Sequence, residues 1–294
     1  MHRLAFFGTS AFAVPLLRAL LQDARFSVSV VVTQPDRPVG RKQTLTPPPV
    51  KEVAMEHGLP VLQPERLRAP ESVAALTEHT FDAAVVASYG QILPQTVLDL
   101  ASQRFINLHG SILPKYRGAS PIAEAIKQGD AETGITVMLM DADMDHGDTL
   151  AFGRVPITST DTTQSLEVAL ANLGATLLPD VLAEYLVGQR TATPQDHEHA
   201  TFCGRIKKEH GLIDPLTVSA EALERLVRAY TPWPLVTIET HGTRAKLLSV
   251  HVGSPKPGEL AIPCQEGVLI VDECRPEGGK TMTGEAFARG RSAQ

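Results

Sequence analysis

Short apolar runs alternate with helix-like stretches through the first two-thirds of the chain, and this alternation limits the fold more than any other feature. Leu4 to Phe7 forms an apolar run that stops at Gly8, and Ser10 opens a helical stretch through Leu21. Ser27 to Thr33, SVSVVVT, is rich in β-branched residues, as a buried strand is. Further runs lie at Ala83 to Ala87, Phe105 to Leu108 and Ile135 to Met140. Helical patterns lie between and after them, the longest from Thr163 to Leu186. Strands separated by helices predict an α/β fold with a mainly parallel, Rossmann-like sheet covered on both faces.

The pattern changes near Gly188. Residues 189–201, QRTATPQDHEHAT, are polar, lack apolar periodicity and read as a linker. Beyond them lie one helix candidate, Ser219 to Tyr230, and strand-like segments at Leu235 to Glu239, Arg244 to Val252, Glu259 to Ile262 and Gly267 to Cys274. Short strands punctuated by Gly and Pro predict a small antiparallel, OB-like β-barrel. The expected division is therefore 1–188, a linker at 189–201, and 202–294.

Composition narrows the function classes. With 27 Lys and Arg against 33 Asp and Glu, the net charge of −6 excludes coating of a polyanion by bulk charge, though not by a local basic patch. Cys203, Cys264 and Cys274 are too few for a disulfide scaffold or a paired zinc knuckle, and read as structural thiols in a reduced compartment. The opening MHRLAFFGTS is too briefly apolar for a signal peptide, and no run of 18 apolar residues occurs. A soluble, cytoplasmic protein without a membrane span is the expectation.

Several motifs are excluded. The first strand is followed by GTSAFA rather than GxGxxG, and neither a P-loop nor GxSxG occurs. The acidic run from Asp141 resembles a calcium loop, but Gly147 falls at position seven and Phe152 at twelve, where such a loop needs Gly at six and Glu at twelve.

Two polar clusters remain. Asn107-Leu108-His109-Gly110-Ser111 follows one apolar run, and Asp145-His146-Gly147-Asp148 follows another. If both strands run parallel, the loops meet at one sheet edge, where ligands of open α/β folds bind. Alternation puts Asn107 and His109 on one side of their strand. An amide donor, a titratable base and a charged orienter are what acyl transfer to an amine requires, and no Ser or Cys nucleophile is then needed. Taken alone, these residue types are more often strand-end caps and turn residues than catalytic groups, and His146 fits an exposed turn better than a metal ligand.

The chain resembles the methionyl-tRNA formyltransferases over its full length. The resemblance runs from FFGTSAFAVPLL through VVTQPDRPVGRK, VVASYGQILP, INLHGSILPKYRGASPI and GITVMLMDADMDHGDTL to FCGRIKKEHGLIDP, YTPWP and PEGGKTMTGEAFARGR. The NLHxSxLPxYRGAxPI segment with a later Asp-x-Gly is common to folate-dependent formyltransferases, so it implies the chemistry. The basic TQPDRPxGR segment and the IxKExGxID segment imply the tRNA acceptor. The implied reaction moves formyl from 10-formyltetrahydrofolate to the amine of methionyl initiator tRNA, in a monomer and without a metal.

The resemblance also implies roles. Asn107 binds the formyl oxygen, His109 handles the proton of the attacking amine, and Asp145 orients His109 or a water. Ser111, Ile112, Leu113 and Pro114 match the tetrahydrofolate segment, and main chain from Tyr89 through Gly90, Gln91, Ile92 and Leu93 edges the pterin pocket. Two positions depart from the family pattern: Gly110 replaces the usual Pro, and His146 replaces a small residue.

For tRNA, residues 34–51 carry Arg37, Arg41, Lys42 and Lys51 against Asp36 alone, stiffened by five prolines. By resemblance this is an inserted loop that engages the acceptor stem. Arg205, Lys207 and Lys208 are further phosphate-contact candidates, and Lys115 and Arg117 border the catalytic segment. Phe12 and Val14 suit either a methionine side-chain pocket or ordinary core. Trp233, between Pro232 and Pro234, reads as a packing anchor between domains rather than a base-stacking platform. Water in place of the amine would make the same residues a folate hydrolase, and a 4-amino sugar nucleotide would make the chain a sugar formyltransferase. A tRNA-binding protein without activity is the remaining alternative.

Overall fold

In the computed structural model, which describes residues 1–40, 42–102 and 104–290, the chain forms two units, each gathered from three stretches. The first comprises residues 1–118, 133–155 and 167–202; the second comprises 119–132, 156–166 and the chain from Cys203 onward.

The first unit begins with β1 (His2–Gly8), α1 (Val14–Gln22), β2 (Phe26–Val32), a small hairpin of β3 (Arg37–Val39) and β4 (Thr44–Thr46), α2 (Pro49–Glu56) and β5 (Val61–Leu62). It continues with α3 (Pro70–Thr77), β6 (Ala83–Ala87), α4 (Gln95–Leu98), β7 (Phe105–His109) and β8 (Arg117–Gly118). The chain then passes through α5 (Pro121–Gln128) into β9 (Glu132–Leu139), β10 (Thr149–Pro156) and α6 (Thr163–Leu186). Helices α1, α2, α3 and α5 all carry a proline in their first turn, where its missing N–H costs nothing.

The sheet runs in the order β10-β9-β7-β6-β1-β2-β5. The pairs β1–β2, β1–β6, β2–β5 and β6–β7 are parallel, which gives the mainly parallel sheet expected. Its central strands β9, β7, β6 and β1 are buried on both faces over most of their length, so they read as continuous apolar runs. One face packs Ala5, Phe7, Val32, Val86 and Phe105 against Leu67, Leu76, Leu93 and Val97. Phe7 meets Tyr89 edge-on at 5.5 Å and Phe105 at 5.4 Å between ring centroids.

On the other face, Gly174 of α6 lies against Leu16, Leu108 and Ile135, where a Cβ would collide with their methyl groups. The absence of a side chain there lets the helix approach the sheet closely. By length and composition α6 is long and apolar enough to cross a membrane. Its Leu166, Leu170, Leu178 and Leu182 are buried within the fold, as in a core helix.

One expectation about the sheet fails. Strand β9 pairs antiparallel to β7, with His109 opposite Thr136 and Ile106 opposite Leu139, and Met140 donates its amide to the Phe105 carbonyl. The end of β9 therefore lies beside the start of β7, and the loop from Asp141 must turn back to reach His109. Strand polarity depends on how the connection closes. The apolar content of Ile135 to Met140 is the same in either direction.

After β11 (Phe202–Cys203), the second unit adds to α5 the elements α7 (Ala220–Ala229), β12 (Thr237–Thr240), β13 (Thr243–Val252), β14 (Leu260–Pro263), β15 (Val268–Pro276), β16 (Met282–Thr283) and α8 (Gly284–Arg289). Strands β12-β13-β15-β14 form an antiparallel sheet, with β16 also paired to β15. Register shifts between Leu247 and Val250 bend β13, which helps curl the sheet into an OB-like half-barrel. Helix α7 is capped by Ser219, whose hydroxyl accepts from the Ala222 amide at 3.1 Å, and it buries Leu223, Leu226 and Val227. Trp233 is 55% exposed. Cys203 and Cys274 are buried, and the three thiols are unbridged.

Candidate active site

Strand β7 presents Asn107 and His109 from the face that also carries Phe105. His109 is buried, and its Nε2 lies 2.9 Å from the carbonyl oxygen of Tyr116. A carbonyl only accepts, so Nε2 carries the hydrogen and the neutral ring keeps its lone pair on Nδ1. That Nδ1 is 3.6 Å from Oδ1 of Asp145. Asn107 Nδ2 reaches the same Oδ1 at 3.4 Å, a long bond that engages the amide only weakly. The other carboxylate oxygen, Oδ2, accepts from the Gly118 amide at 2.8 Å. Asn107, His109 and Asp145 are thus brought together, with a single carboxylate oxygen facing both partners.

Asp145 sits at φ +50°, in the left-handed region, at a cost of about 1 kcal/mol that Asp bears better than most residues. Two residues downstream, a Cβ on Gly147 would overlap the Leu139 carbonyl oxygen, so the loop presses directly on the end of β9. Gln195 Nε2 donates to the carbonyls of Asp145 at 2.9 Å and Gly147 at 2.7 Å.

The turn after His109 is fixed by a buried hydroxyl. Thr136 Oγ1 donates to the Ser111 carbonyl at 2.6 Å and accepts from the Leu113 amide at 3.1 Å. Ser111 and Leu113 are buried, and the Ser111 hydroxyl donates to the Lys115 carbonyl at 2.6 Å. Ile112 and Pro114 are half-buried.

The loop after β6 is tied across the sheet edge. The Tyr89 carbonyl accepts from Thr9 Oγ1 at 2.8 Å and Gln34 Nε2 at 3.2 Å. The Gln91 amide donates to the Pro64 carbonyl at 2.9 Å and accepts from the Leu67 amide at 2.8 Å. The Tyr89 ring and Leu93 belong to the core, and burial pushes the Tyr89 phenol above its ordinary range. What this loop offers a ligand is the exposed main chain at Gly90, which has φ +88°, and the side chain of Ile92, which is 90% exposed. Gly8 to Ser10, Gln34 and residues 88–93 follow β1, β2 and β6, three strands with parallel pairings, so they share the carboxyl edge of the sheet.

A formyl transferase family model matches residues 2–182, and the formyl transferase C-terminal domain model matches residues 205–292. The methionyl-tRNA formyltransferase of Geobacter metallireducens is 42% identical over 97% of this chain and 94% of its own length. The chain belongs to the methionyl-tRNA formyltransferase family. Among solved structures, the N-formyltransferase from Helicobacter canadensis in complex with folinic acid and dTDP-3-aminofucose is similar, with a TM-score of 0.69 and 16% identity. That match covers 96% of this chain and all of that one. HypX from Aquifex aeolicus in complex with tetrahydrofolic acid matches at a TM-score of 0.62 and 15% identity over 98% of this chain. It covers 46% of that one, so this chain spans about half of HypX. At these identities the two structures speak for the fold.

His146, in the loop that carries Asp145, has a defined place. Its Nδ1 is 2.7 Å from Asp141 Oδ2, and its ring stacks on His197 at 4.1 Å with the planes 6° apart. Gly110 is buried beside His109.

Of the basic candidates, Arg37 is exposed and Lys51 half-buried. Arg37 pairs with Glu65 at 2.9 Å on the surface, and Lys51 pairs with Asp36 at 2.8 Å. Lys42 is exposed, and Arg41 lies outside the described residues. In the second unit Arg205, Lys207 and Lys208 are exposed. Phe12 and Val14 are half-buried. Among the described residues no group of three or more His, Cys, Asp or Glu side chains could hold a metal ion. Sequence reasoning missed Thr136 and Gln195, which contribute through isolated side-chain hydrogen bonds and leave no pattern in the chain.

Proposed function

We propose that this enzyme transfers the formyl group of 10-formyltetrahydrofolate to the α-amino group of methionyl initiator tRNA, with Asn107, His109 and Asp145 carrying the chemistry. The observation that carries the proposal is the convergence of Asn107 Nδ2 and His109 Nδ1 on one oxygen of Asp145, in a chain of this family.

The neutral amine attacks the formyl carbon, forming the new C–N bond, and the charge that develops on the formyl oxygen is met by the Asn107 amide. One such donor contributes about 3–4 kcal/mol. His109 accepts the amine's proton at Nδ1, the nitrogen left free by the Tyr116 bond, and the imidazolium then faces the Asp145 carboxylate. The bond from the formyl carbon to the donor nitrogen breaks, and that nitrogen takes up a proton as tetrahydrofolate leaves. Proton transfer of this kind is worth about 10²- to 10⁴-fold.

The folate reading is supported by the exposed main chain at Gly90 and the exposed Ile92, which suit the edge and face of a planar heterocycle. Ser111, Ile112, Leu113 and Pro114 meet the ligand through main chain and the two half-buried side chains, because the Ser111 hydroxyl is already engaged. Residues 1–188 form the catalytic region, and 202–294 help hold the tRNA through Arg205, Lys207 and Lys208. Arg37, Arg41 and Lys42 meet the acceptor stem. The surface pair of Arg37 with Glu65 is weak enough for a phosphate to replace. The enzyme acts as a monomer in the cytoplasm, where aminoacyl-tRNA is used.

The test offers 10-formyltetrahydrofolate with methionyl initiator tRNA, methionyl elongator tRNA or a 4-amino sugar nucleotide. Preferred transfer to the initiator is expected. Transfer to the sugar alone would overturn the tRNA reading and leave the chemistry standing.

A further inference from the structure

Gln195 lies in a stretch that reads as linker, yet it is buried within the first unit, as is Arg117. The Arg117 guanidinium donates to Gln195 Oε1 from Nε at 3.1 Å and from Nη2 at 2.7 Å. With Oε1 fixed by two donors, Nε2 must face the other way, toward the carbonyls of Asp145 and Gly147 that bracket His146. The cationic donors polarise the amide and strengthen its N–H groups as donors. Arg117 is itself oriented by His197, whose Nδ1 accepts from Nη2 at 2.9 Å, and the His197 ring stacks on His146.

We propose that Gln195, locked by Arg117, is a positioning residue that sets the left-handed backbone of Asp145 and with it the direction of the carboxylate toward His109 and Asn107. This rests on the reading of Asp145 as part of the catalytic machinery. Three consecutive residues then grip the site together. Tyr116 holds His109 through its carbonyl, Arg117 holds the Asp145 backbone through Gln195, and Gly118 holds the Asp145 carboxylate through its amide. If Gln195 is lost, the buried Gly147 carbonyl and the half-buried Asp145 carbonyl lose this donor, and the loop can relax out of the conformation at φ +50° that aims Oδ1 at both partners. Displacing a reacting group by about 1 Å costs about 10²-fold in rate.

The test is a double-mutant cycle on the full-length enzyme, read by single-turnover formyl transfer, with Gln195→Ala and Asp145→Ala alone and combined. Gln195→Ala is expected to lower the rate about 10²-fold, with KM for both substrates unchanged. In the Asp145→Ala background it should cost almost nothing further. Gln195→Glu serves as the second variant, checked for folding by circular dichroism. It keeps an oxygen for Arg117 and loses the donor to the two carbonyls, so it should be as slow as Gln195→Ala.

Independent, multiplying losses in the cycle would overturn the positioning role and leave Asp145 catalytic. Wild-type turnover by Gln195→Glu would also overturn it. Wild-type turnover by Asp145→Ala would overturn the catalytic reading, and the proposal with it.

Discussion

His109 Nε2 donates to the Tyr116 carbonyl at 2.9 Å, and that one bond decides which ring nitrogen is left to take a proton. In the proposed mechanism the base is Nδ1, which lies 3.6 Å from Asp145. His109→Ala is expected to lower turnover by about 10²- to 10⁴-fold. It also strips a buried carbonyl of its donor, at a cost of about 1–3 kcal/mol in urea unfolding. Turnover within a few-fold of wild type would contradict the role.

Asn107 binds Asp145 only at 3.4 Å, so its amide can turn to a developing oxyanion. Asn107→Ala should cut kcat by about 10²- to 10³-fold while leaving KM for the folate donor unchanged. A loss confined to KM would reassign Asn107 to ground-state binding.

Thr136 holds the turn that follows His109 from the neighbouring strand. Thr136→Val keeps the shape and leaves the Ser111 carbonyl and the Leu113 amide without that partner. Chemical denaturation should show a loss of about 1–3 kcal/mol. An unchanged midpoint would show that the turn holds without it.

Asp82 ties β6 to β1 by accepting from the Arg3 amide at 2.8 Å and its guanidinium at 3.2 Å, and these bonds hold the carboxyl below its ordinary range. A carboxyl lowered in the folded state stabilises above its unfolded value, near 3.9, and loses that contribution as pH falls through the folded value. The advantage of wild type over Asp82→Asn should be under about 1 kcal/mol, because the pair is partly exposed. It should be level above about pH 5 and shrink below about pH 4 in thermal melts taken across that range. A difference that grows in acid would contradict the assignment.

Replacing Arg41 and Lys42 with alanine should weaken tRNA binding. It should also flatten the dependence of log K on log salt by about 1 for each phosphate that is no longer neutralised. An unchanged slope would remove these residues from the interface.

Much of this fold is legible in the chain. The apolar runs at Leu4, Ser27, Ala83 and Phe105 become the buried parallel strands, and the helix over Thr163 to Leu186 has the bounds its pattern suggests. The four segments after Gly188 become β12, β13, β14 and β15. Asn107 and His109 are legible as a pair because strand alternation puts both on one face.

The route of Asp145 to them is not legible. It depends on β9 running against β7 and on a loop that turns back, and neither leaves a mark on hydrophobic period. Gln195 is hidden for a different reason. A buried amide in a polar segment looks like solvent-facing linker until Arg117 and two carbonyls are found around it.

The most direct measurement of the central claim is coupling: donor consumption and formyl-methionyl-tRNA formation followed together, with and without methionyl initiator tRNA. Direct attack by the amine predicts one formylated tRNA for each donor consumed and no consumption without tRNA. Consumption at an equal rate without tRNA would mean that water is the acceptor, and would contradict the account.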